Sequence, residues 1–145
     1  MKKYSNQYLA GFFDGEGCVG VYKNSSGGYS SYRLETLITQ SKSRNSKSLF
    51  RTLKKMFGGY ITVINRSGCW RTMYIYRLCG LNAIKFLLTI RPYLIFKAAQ
   101  ADVTIQWYKR RTIRTKGKNK ITFHQTANDE KISAKLKAMK RQQDD

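Results

Sequence analysis

LAGFFDGEG, residues 9–17, is the stretch of the sequence that decides the fold. The apolar residues in this region predict a short helix over residues 6–14, and Gly15 and Gly17 are typical of a helix end. A glycine inside a helix costs about 1 kcal/mol relative to alanine, so Gly11 needs a structural reason. Small residues on neighbouring turns allow a second helix to approach almost to backbone contact. The stretch therefore predicts a helix that packs closely against another helix.

Asp14 and Glu16 are the two acidic side chains at the end of this predicted helix. A carboxylate there faces the negative end of the helix dipole, and two such ends brought side by side repel each other further. A bound divalent metal ion would compensate this repulsion. The alternative is that both acids are ordinary solvated residues at a helix end.

The residues after this stretch predict alternating hairpins and helices. The predicted elements are a hairpin with its turn at residues 24–28, a helix with apolar residues from Leu49 to Phe57, a hairpin of residues 60–65 and 70–78 with its turn at 66–68, a helix over residues 81–90, and a helix with Pro92 in its first turn that runs to about Thr112. This order indicates an α+β fold with a helix-hairpin-helix-hairpin-helix core and an antiparallel sheet.

A length of 145 residues fits one domain, which we expect to span residues 1–115. Residues 116–145 are expected to form a basic loop followed by either a small docking helix or a frayed tail.

Positive charge dominates the chain, with 28 Lys and Arg against 8 Asp and Glu and a formal net charge of +20. Residues 36–101 contain 12 Lys and Arg and no acidic residue. A solvated basic surface kept for solubility is the alternative, but soluble surfaces usually intersperse both signs. The charge therefore favours a nucleic-acid partner.

Targeting signals and membrane segments are not evident in the sequence. There is no apolar run long enough to span a membrane, and the start MKKYSNQYLAGFFDGEG is unlike a signal peptide. We therefore expect an intracellular protein without a membrane partner, in an organelle (chloroplast or mitochondrion) or a prokaryotic cytoplasm.

LAGFFDGEG and the element order together resemble the LAGLIDADG homing endonucleases, over about residues 6–113. The resemblance implies that residues 1–115 form an endonuclease domain whose antiparallel sheet binds DNA. Because the sequence contains one motif, it implies a homodimer. The implied activity is hydrolysis of one phosphodiester on each strand of a long, near-palindromic DNA site, with Mg²⁺ or Mn²⁺ as cofactor.

The resemblance also implies roles for single residues. Glu16 matches the acid that binds metal at the family's active site, and the backbone carbonyl of Gly15 would add a ligand. Gln40 matches a polar residue that orders water, and Lys97 matches a basic residue near the scissile phosphate. Arg44 is expected nearby as a further cation on the DNA. The implied dimer interface consists of Leu9, Ala10, Gly11, Phe12, Asp14 and Gly15.

Alternate side chains of the two hairpins would face DNA, because successive strand residues point to opposite sides of a sheet. The predicted DNA contacts are Tyr22, Asn24, Ser31 and Arg33 in the first hairpin and Arg66, Arg71 and Thr72 in the second. Arg33 is the strongest candidate for base reading, because a guanidinium can pair bidentately with guanine.

Two other functions remain open for the same fold. One is an intron maturase that binds RNA, and the other is a DNA-binding regulator that does not cleave. An intact Glu16 together with Lys97 favours the nuclease over both alternatives.

Overall fold

The computed structural model describes residues 4–26, 29–65, 71–115 and 123–142. Its elements are helix α1 (Asn6–Glu16), strands β1 (Gly17–Ser26) and β2 (Tyr29–Ser41), helix α2 (Arg44–Phe57), strands β3 (Tyr60–Ile64) and β4 (Met73–Cys79), helix α3 (Gly80–Ile90), a short 3-10 helix (Arg91–Tyr93), and helices α4 (Ala98–Thr115) and α5 (Phe123–Arg141). The predicted α+β order of helices and hairpins is confirmed.

The four strands form one antiparallel sheet in the order β1-β2-β4-β3. Gly17 pairs with Ile38, and Ile38 pairs with Tyr76 of β4. Ile38 and Tyr76 are buried on the side that the helices cover, which we call the helix face. Residues one position away along each strand, such as Tyr22 and Arg33, lie on the opposite side, which we call the open face.

Aromatic side chains join the helices to the helix face. Phe86 of α3 makes edge contacts with Phe13 of α1 and Phe57 of α2, at ring-centroid distances of 5.3 and 5.2 Å. Phe50 of α2 stacks on Tyr76 at 5.7 Å. These contacts hold α1, α2 and α3 on one side of the sheet and leave the open face for another role.

Helix α1 ends later than the sequence predicts. It continues to Glu16, so Gly15 lies inside the helix and Gly17 alone forms its end, donating its N–H to the carbonyl of Phe13. A side chain at Gly17 would collide with the ring of Phe13. Gly17 is therefore required for the close approach between the helix end and the start of β1.

The predicted helix from Pro92 to Thr112 is wrong at its start. Pro92 belongs to the short 3-10 helix, Leu94 is extended with ψ 138°, and α4 begins only at Ala98. The reason is a long-range contact, because a carboxylate from α1 takes the backbone N–H groups of Ile95 and Lys97. Residues 94–97 thus form a loop at the end of α1.

Other boundaries differ by a few residues. Helix α2 begins at Arg44, because Ser43 and Ser46 form a capping box ahead of the apolar positions. Strand β4 begins at Met73 rather than at residue 70. The predicted turn at residues 66–68 and part of the turn at 24–28 lie outside the described residues.

The C-terminal residues include a helix rather than a tail. Helix α5 packs on α4 and along the edge strand β1. The indole Nε1 of Trp107 donates to Oδ1 of Asp129 at 2.7 Å, and both side chains are buried. Within the described ranges, no helix is long and apolar enough to cross a membrane.

Candidate active site and nucleic-acid interface

Asp14 organises the corner where α1 ends. Its side chain is 9% exposed, and its two carboxylate oxygens accept the backbone N–H groups of Ile95 at 2.7 Å and Lys97 at 2.9 Å. The sequence predicts Asp14 in a dimer interface, whereas the structure directs its carboxylate into its own chain. Asp14 instead ties the loop at residues 94–97 to α1.

Lys97 meets the same helix end from that loop. Its ammonium Nζ donates to the backbone carbonyl of Asp14, one of the carbonyls near the C-terminus of α1. A bidentate ion pair joins the residues that flank this loop. Arg91, which precedes the loop, donates to both carboxylate oxygens of Asp102, which follows it, each at 2.6 Å. These hydrogen bonds hold the pKa of Asp102 below its usual range.

Glu16 is the last residue of α1, and its side chain is exposed. In the part of the chain that the structure describes, Glu16 forms no ion pair. Gly15 precedes it, is exposed as well, and has open space where a side chain would be. Together with Lys97, the sequence-predicted residues at positions 15 and 16 thus meet at one corner.

Gln40 lines a cavity of about 360 Å³ between α1 and α2, together with Tyr8 and Phe12. Because Gly17 pairs with Ile38, Gln40 lies two residues beyond the position opposite the end of α1. The sheet therefore brings Gln40 to the same end as Glu16. Arg44 is exposed at the start of α2 and lines a separate groove rather than this cavity.

The outward side of α1 differs from the predicted interface. Leu9 and Ala10 are 1% and 0% exposed, so their side chains are buried in the core of their own chain and are unavailable to a second copy. The exposed side carries Gly11 and Gly15, four residues apart and hence on neighbouring turns. A Cβ added at either glycine would meet nothing within 4 Å.

An aromatic row lies beside these glycines on α1. Tyr4 stacks on Tyr8 at 5.3 Å between ring centroids, and Tyr8 stacks on Phe12 at 6.2 Å. Tyr8 is 49% exposed, so its ring is accessible beside Gly11 and Gly15. Phe12, predicted at the interface, is half-buried within the chain.

The open face brings together the DNA contacts predicted in the first hairpin. Tyr22 pairs directly with Arg33, and Asn24 pairs with Ser31, so all four share one side of the sheet. Asn24 is exposed, and the side chain of Arg33 is 42% exposed. The alternation in the sequence was sufficient to group these residues.

Glu35 is a central residue of the open face that the sequence analysis did not identify. Its buried carboxylate accepts two hydrogen bonds from Arg33, at 3.0 and 2.5 Å, and lies 3.7 Å from Arg77 of β4. The hydrogen bonds that Arg33 donates to Glu35 raise the pKa of the Arg33 guanidinium above its usual value. The guanidinium of Arg77 also lies 5.7 Å from the ring centroid of Tyr60. Glu35 thus orients two arginines.

Pairing between distant strands explains why this cluster was missed. Glu35 and Arg77 meet because Glu35 pairs with Cys79 and its neighbour Leu37 pairs with Arg77. The sequence signal was the position of Glu35, the last acidic residue before the acid-free stretch of residues 36–101.

The second hairpin supports its predicted contacts less fully. Arg71 is exposed, and Thr72 is half-buried with its hydroxyl donating to Oδ1 of Asn65 at 3.1 Å, but both precede β4 rather than lying in it. Strand alternation therefore does not assign them to the open face. Arg66 lies outside the described residues.

Lys140 of α5 reaches the open face near its edge. Its Nζ lies 2.8 Å from Sγ of Cys18 and 3.2 Å from the hydroxyl of Tyr22, and 5.6 Å from the centroid of the Tyr22 ring. Burial raises the pKa of Tyr22, Cys18 adds to this, and Lys140 opposes it. Burial lowers the pKa of Lys140, but its contacts with Cys18 and Tyr22 outweigh burial and raise that pKa overall. Tyr22 is thus held in place by the C-terminal helix.

The corner at the end of α1 offers donors that suit a hard divalent cation. Carboxylate and carbonyl oxygens, which Glu16 and Gly15 can provide, are the ligands that Mg²⁺ and Mn²⁺ favour. Among the described residues, however, there is no group of three His, Cys, Asp or Glu side chains that could hold a metal ion. Glu16 and Gly15 alone would leave most ligand positions of such an ion unfilled.

The fold and its site define an α+β protein with a cation-rich open sheet and a single exposed acid at the end of a glycine-bearing helix. A family model described as LAGLIDADG endonuclease matches residues 9–94, which is more than half of the chain. The chain belongs to the LAGLIDADG endonuclease family, and the resemblance noted in the sequence is confirmed. No curated protein sequence matches the chain.

Solved structures of homing endonucleases share the fold. The structure of I-CvuI in complex with its target in the presence of 2 mM Ca is 22% identical, with a TM-score of 0.69 over 92% of this chain and 80% of that one. I-TnaI is 17% identical, with a TM-score of 0.70 over 97% of this chain and 99% of that one. I-GzeII in complex with its DNA target is 18% identical, with a TM-score of 0.71 over 91% of this chain but only 44% of that one.

Proposed function

We propose that this chain is one subunit of a homodimeric endonuclease that cuts both strands of a long, near-palindromic site in duplex DNA. The observation that carries the proposal is the exposed side of α1, where Gly11 and Gly15 have open space around them. Nothing within the described chain requires either glycine, although each weakens the helix by about 0.5–1 kcal/mol. A second copy of α1 packed across them supplies the reason.

The lengths of the similar proteins support this assembly. The chain matches nearly all of I-TnaI but less than half of I-GzeII, so the I-GzeII chain has room for two such units. A two-fold axis through α1 would provide two units from two copies of this chain. It would also bring the two Glu16 carboxylates close together, one for each DNA strand.

Divalent metal use is supported by the oxygen donors that the proposed two-fold axis would bring together. One chain provides the Glu16 carboxylate and the Gly15 carbonyl, and its partner would provide the same pair. When bound, a divalent ion supplies charge neutralisation at the phosphate and a water that attacks phosphorus. Mg²⁺ is the ion we propose, with Mn²⁺ as an equivalent hard cation.

The remaining residues of the corner act on the phosphate and on water. The ammonium of Lys97, held at the carbonyl of Asp14, brings positive charge to the same corner as Glu16. Positive charge there stabilises the negative charge that develops on the phosphate in the transition state. The amide of Gln40, at the same end of the sheet, can orient the attacking water by hydrogen bonding.

The open face provides recognition in this proposal. Arg33 and Arg77, oriented by Glu35, and the neighbouring Tyr22 and Asn24 are aligned across adjacent strands. A two-stranded ribbon fits the major groove, where base edges present distinct hydrogen-bonding patterns. Each subunit would recognise one half-site, with half-sites about one helical turn of 10 base pairs apart.

Substitution of Glu16 tests the activity. Wild-type protein incubated with a randomised duplex DNA library and Mg²⁺ should yield a defined set of sequenced ends. Glu16→Gln should abolish these cuts while salt-sensitive binding of the recovered site persists, because the amide keeps the shape and loses the anion. Glu16 is exposed, so the variant should fold normally.

The matched control is Glu130→Gln, which removes an exposed carboxylate from α5 far along the chain. This variant should cut like the wild type. A Glu16→Gln protein that cuts within tenfold of the wild-type rate would refute the proposed role of Glu16.

A further inference from the structure

A second basic surface lies along α2, away from the open face. All five cations of α2 line a groove of about 960 Å³ that Ile61 of β3 closes on its other side. We call this surface the α2 groove. Its cations are Arg44, Lys47, Arg51, Lys54 and Lys55.

The register of the sheet separates the α2 groove from the open face. Ile61 pairs with Tyr76, and side chains of paired residues share one side of the sheet. Tyr76 is buried on the helix face against Phe50 of α2. The α2 groove therefore opens beside the helix layer, on the other side of the sheet from Tyr22 and Arg33.

The described residues provide no ion-pair partner for the charges in the groove. None of the five cations forms an ion pair with any residue that the structure describes, and α2 contains no acidic residue. Lys47, Arg51 and Lys55 follow one another at four-residue spacing, which places like charges side by side and weakens the helix. Arg44 and Lys47 also oppose the helix dipole, because they lie in the first turn. A polyanion in the groove would relieve both effects.

We propose that the α2 groove binds the phosphate backbone of a second segment of duplex DNA, independently of its sequence. The lining side chains are Lys, Arg, Ser, Thr and Ile, so there is no aromatic ring on which unpaired bases could stack. Arg44 and Lys55 are eleven residues apart, or about 16 Å along the helix, which corresponds to about five phosphates of one strand. These features favour a duplex that is held by its backbone.

DNA is the favoured polyanion because of local concentration. A protein bound to its site through the open face is tethered among other segments of the same DNA molecule, and tethering raises the effective concentration of those segments. The inference relies on the proposed function only for DNA binding at the open face and not for cleavage.

A bridging experiment tests the inference. Two generic duplexes of about 30 base pairs, one with a donor and one with an acceptor dye, are mixed with the Glu16→Gln protein, and energy transfer reports duplexes held together. The combined variant Lys47→Gln, Lys54→Gln and Lys55→Gln in the same background should bridge at least tenfold less. A plot of the logarithm of the bridging constant against the logarithm of salt concentration should have a slope that is shallower by about 2.7, because each lost phosphate contact removes about 0.9.

The matched control removes three exposed cations from α5 instead, as Lys131→Gln, Lys135→Gln and Lys137→Gln. This control should bridge like the parent, and binding of the first duplex should change less than threefold in the α2 variant. Equal bridging by the α2 variant and its parent, or equal losses in the α2 variant and the control, would overturn the inference. So would duplex RNA of the same length that displaces the second DNA segment tenfold better than DNA does.

The outcomes separate this inference from the proposed function. A protein that bridges duplexes through α2 but never cuts DNA would keep the inference and lose the proposed nuclease. A protein that cuts its site but bridges no second duplex would support the proposed nuclease and overturn the inference about the α2 groove.

Discussion

Two carboxylates that are two residues apart in one helix have different environments. Asp14 is buried and accepts two backbone N–H groups from the loop at residues 94–97, whereas Glu16 is exposed at the helix end. A separation of two residues corresponds to about 200° around a helix, so the two side chains leave it on opposite sides. The first acid therefore builds the corner, and the second is available for chemistry.

Loss of Asp14 should damage stability and the position of Lys97 together. Asp14→Ala leaves the backbone N–H groups of Ile95 and Lys97 without their carboxylate acceptor, so we expect the free energy of unfolding to fall by about 1–3 kcal/mol. Urea unfolding followed by circular dichroism measures this change. Glu16→Gln in the same assay should change the free energy of unfolding by less than about 0.5 kcal/mol, because its side chain is exposed. An Asp14→Ala protein as stable as wild type would show that the loop does not depend on this carboxylate.

At the level of elements, α5 acts as a cover for the edge strand β1. An edge strand exposes unpaired backbone groups, and a packed helix protects them from pairing with other chains. Side-chain contacts attach the helix at both ends, with the buried Trp107–Asp129 hydrogen bond at one end and Lys140 on Tyr22 at the other. Arg111 adds a contact 3.5 Å from Asp129 and donates to the carbonyl of Tyr32.

Asp129→Ala should release α5 without unfolding the rest of the chain. The substitution leaves the buried indole N–H of Trp107 without its acceptor, at a cost of about 1–3 kcal/mol. We expect faster amide hydrogen exchange in α5 and β1, with the exchange of α3 unchanged. Lys131→Ala, at an exposed position of the same helix, serves as the control and should leave exchange unaltered. Uniformly faster exchange throughout the chain would contradict a local attachment.

At the level of the whole molecule, the proposed assembly depends on the glycine-bearing side of α1. Gly11 and Gly15 provide a flat strip at the helix surface, beside the exposed ring of Tyr8. A close crossing of two helices needs such small residues, and larger side chains would hold the helices apart. The proposed second copy and the proposed metal ion then depend on the same strip.

Gly11→Ala should raise the stability of the isolated subunit and weaken the proposed dimer. Alanine fits into open space at this position, so the isolated subunit should gain about 0.5–1 kcal/mol from higher helix propensity. The Gly11→Ala dimer should be weaker than the wild-type dimer, with a higher dissociation constant. Gly11→Glu should abolish both the dimer and cleavage. Sedimentation velocity and DNA cleavage measure the two effects. Lys85→Ala on the exposed side of α3 should change neither. A Gly11→Glu protein that remains a cleaving dimer would exclude the arrangement.

Much of the fold follows from short stretches of sequence. Residues close together in the chain predict the existence of α1, the apolar pattern of α2 and the two hairpins, although α1 ends at Glu16 rather than at the predicted residue 14. The common side of Tyr22 and Arg33 follows from strand alternation in one hairpin. Local periodicity and helix-end chemistry are properties of contiguous residues, so the sequence alone determined these elements and the family to which they belong.

Contacts between distant residues decided what the sequence did not. The loop at residues 94–97 replaces a helix start because Asp14, 81 residues before Ile95, takes its N–H. Glu35 meets Arg77 because β2 pairs with β4, and Leu9 is lost to the core because α1 packs on α3. The packing of α5 likewise depends on the hydrogen bond from Trp107 of α4 to Asp129 of α5. Each outcome depends on which surfaces pack together, and the free energy that selects this packing arises only when the whole chain is folded.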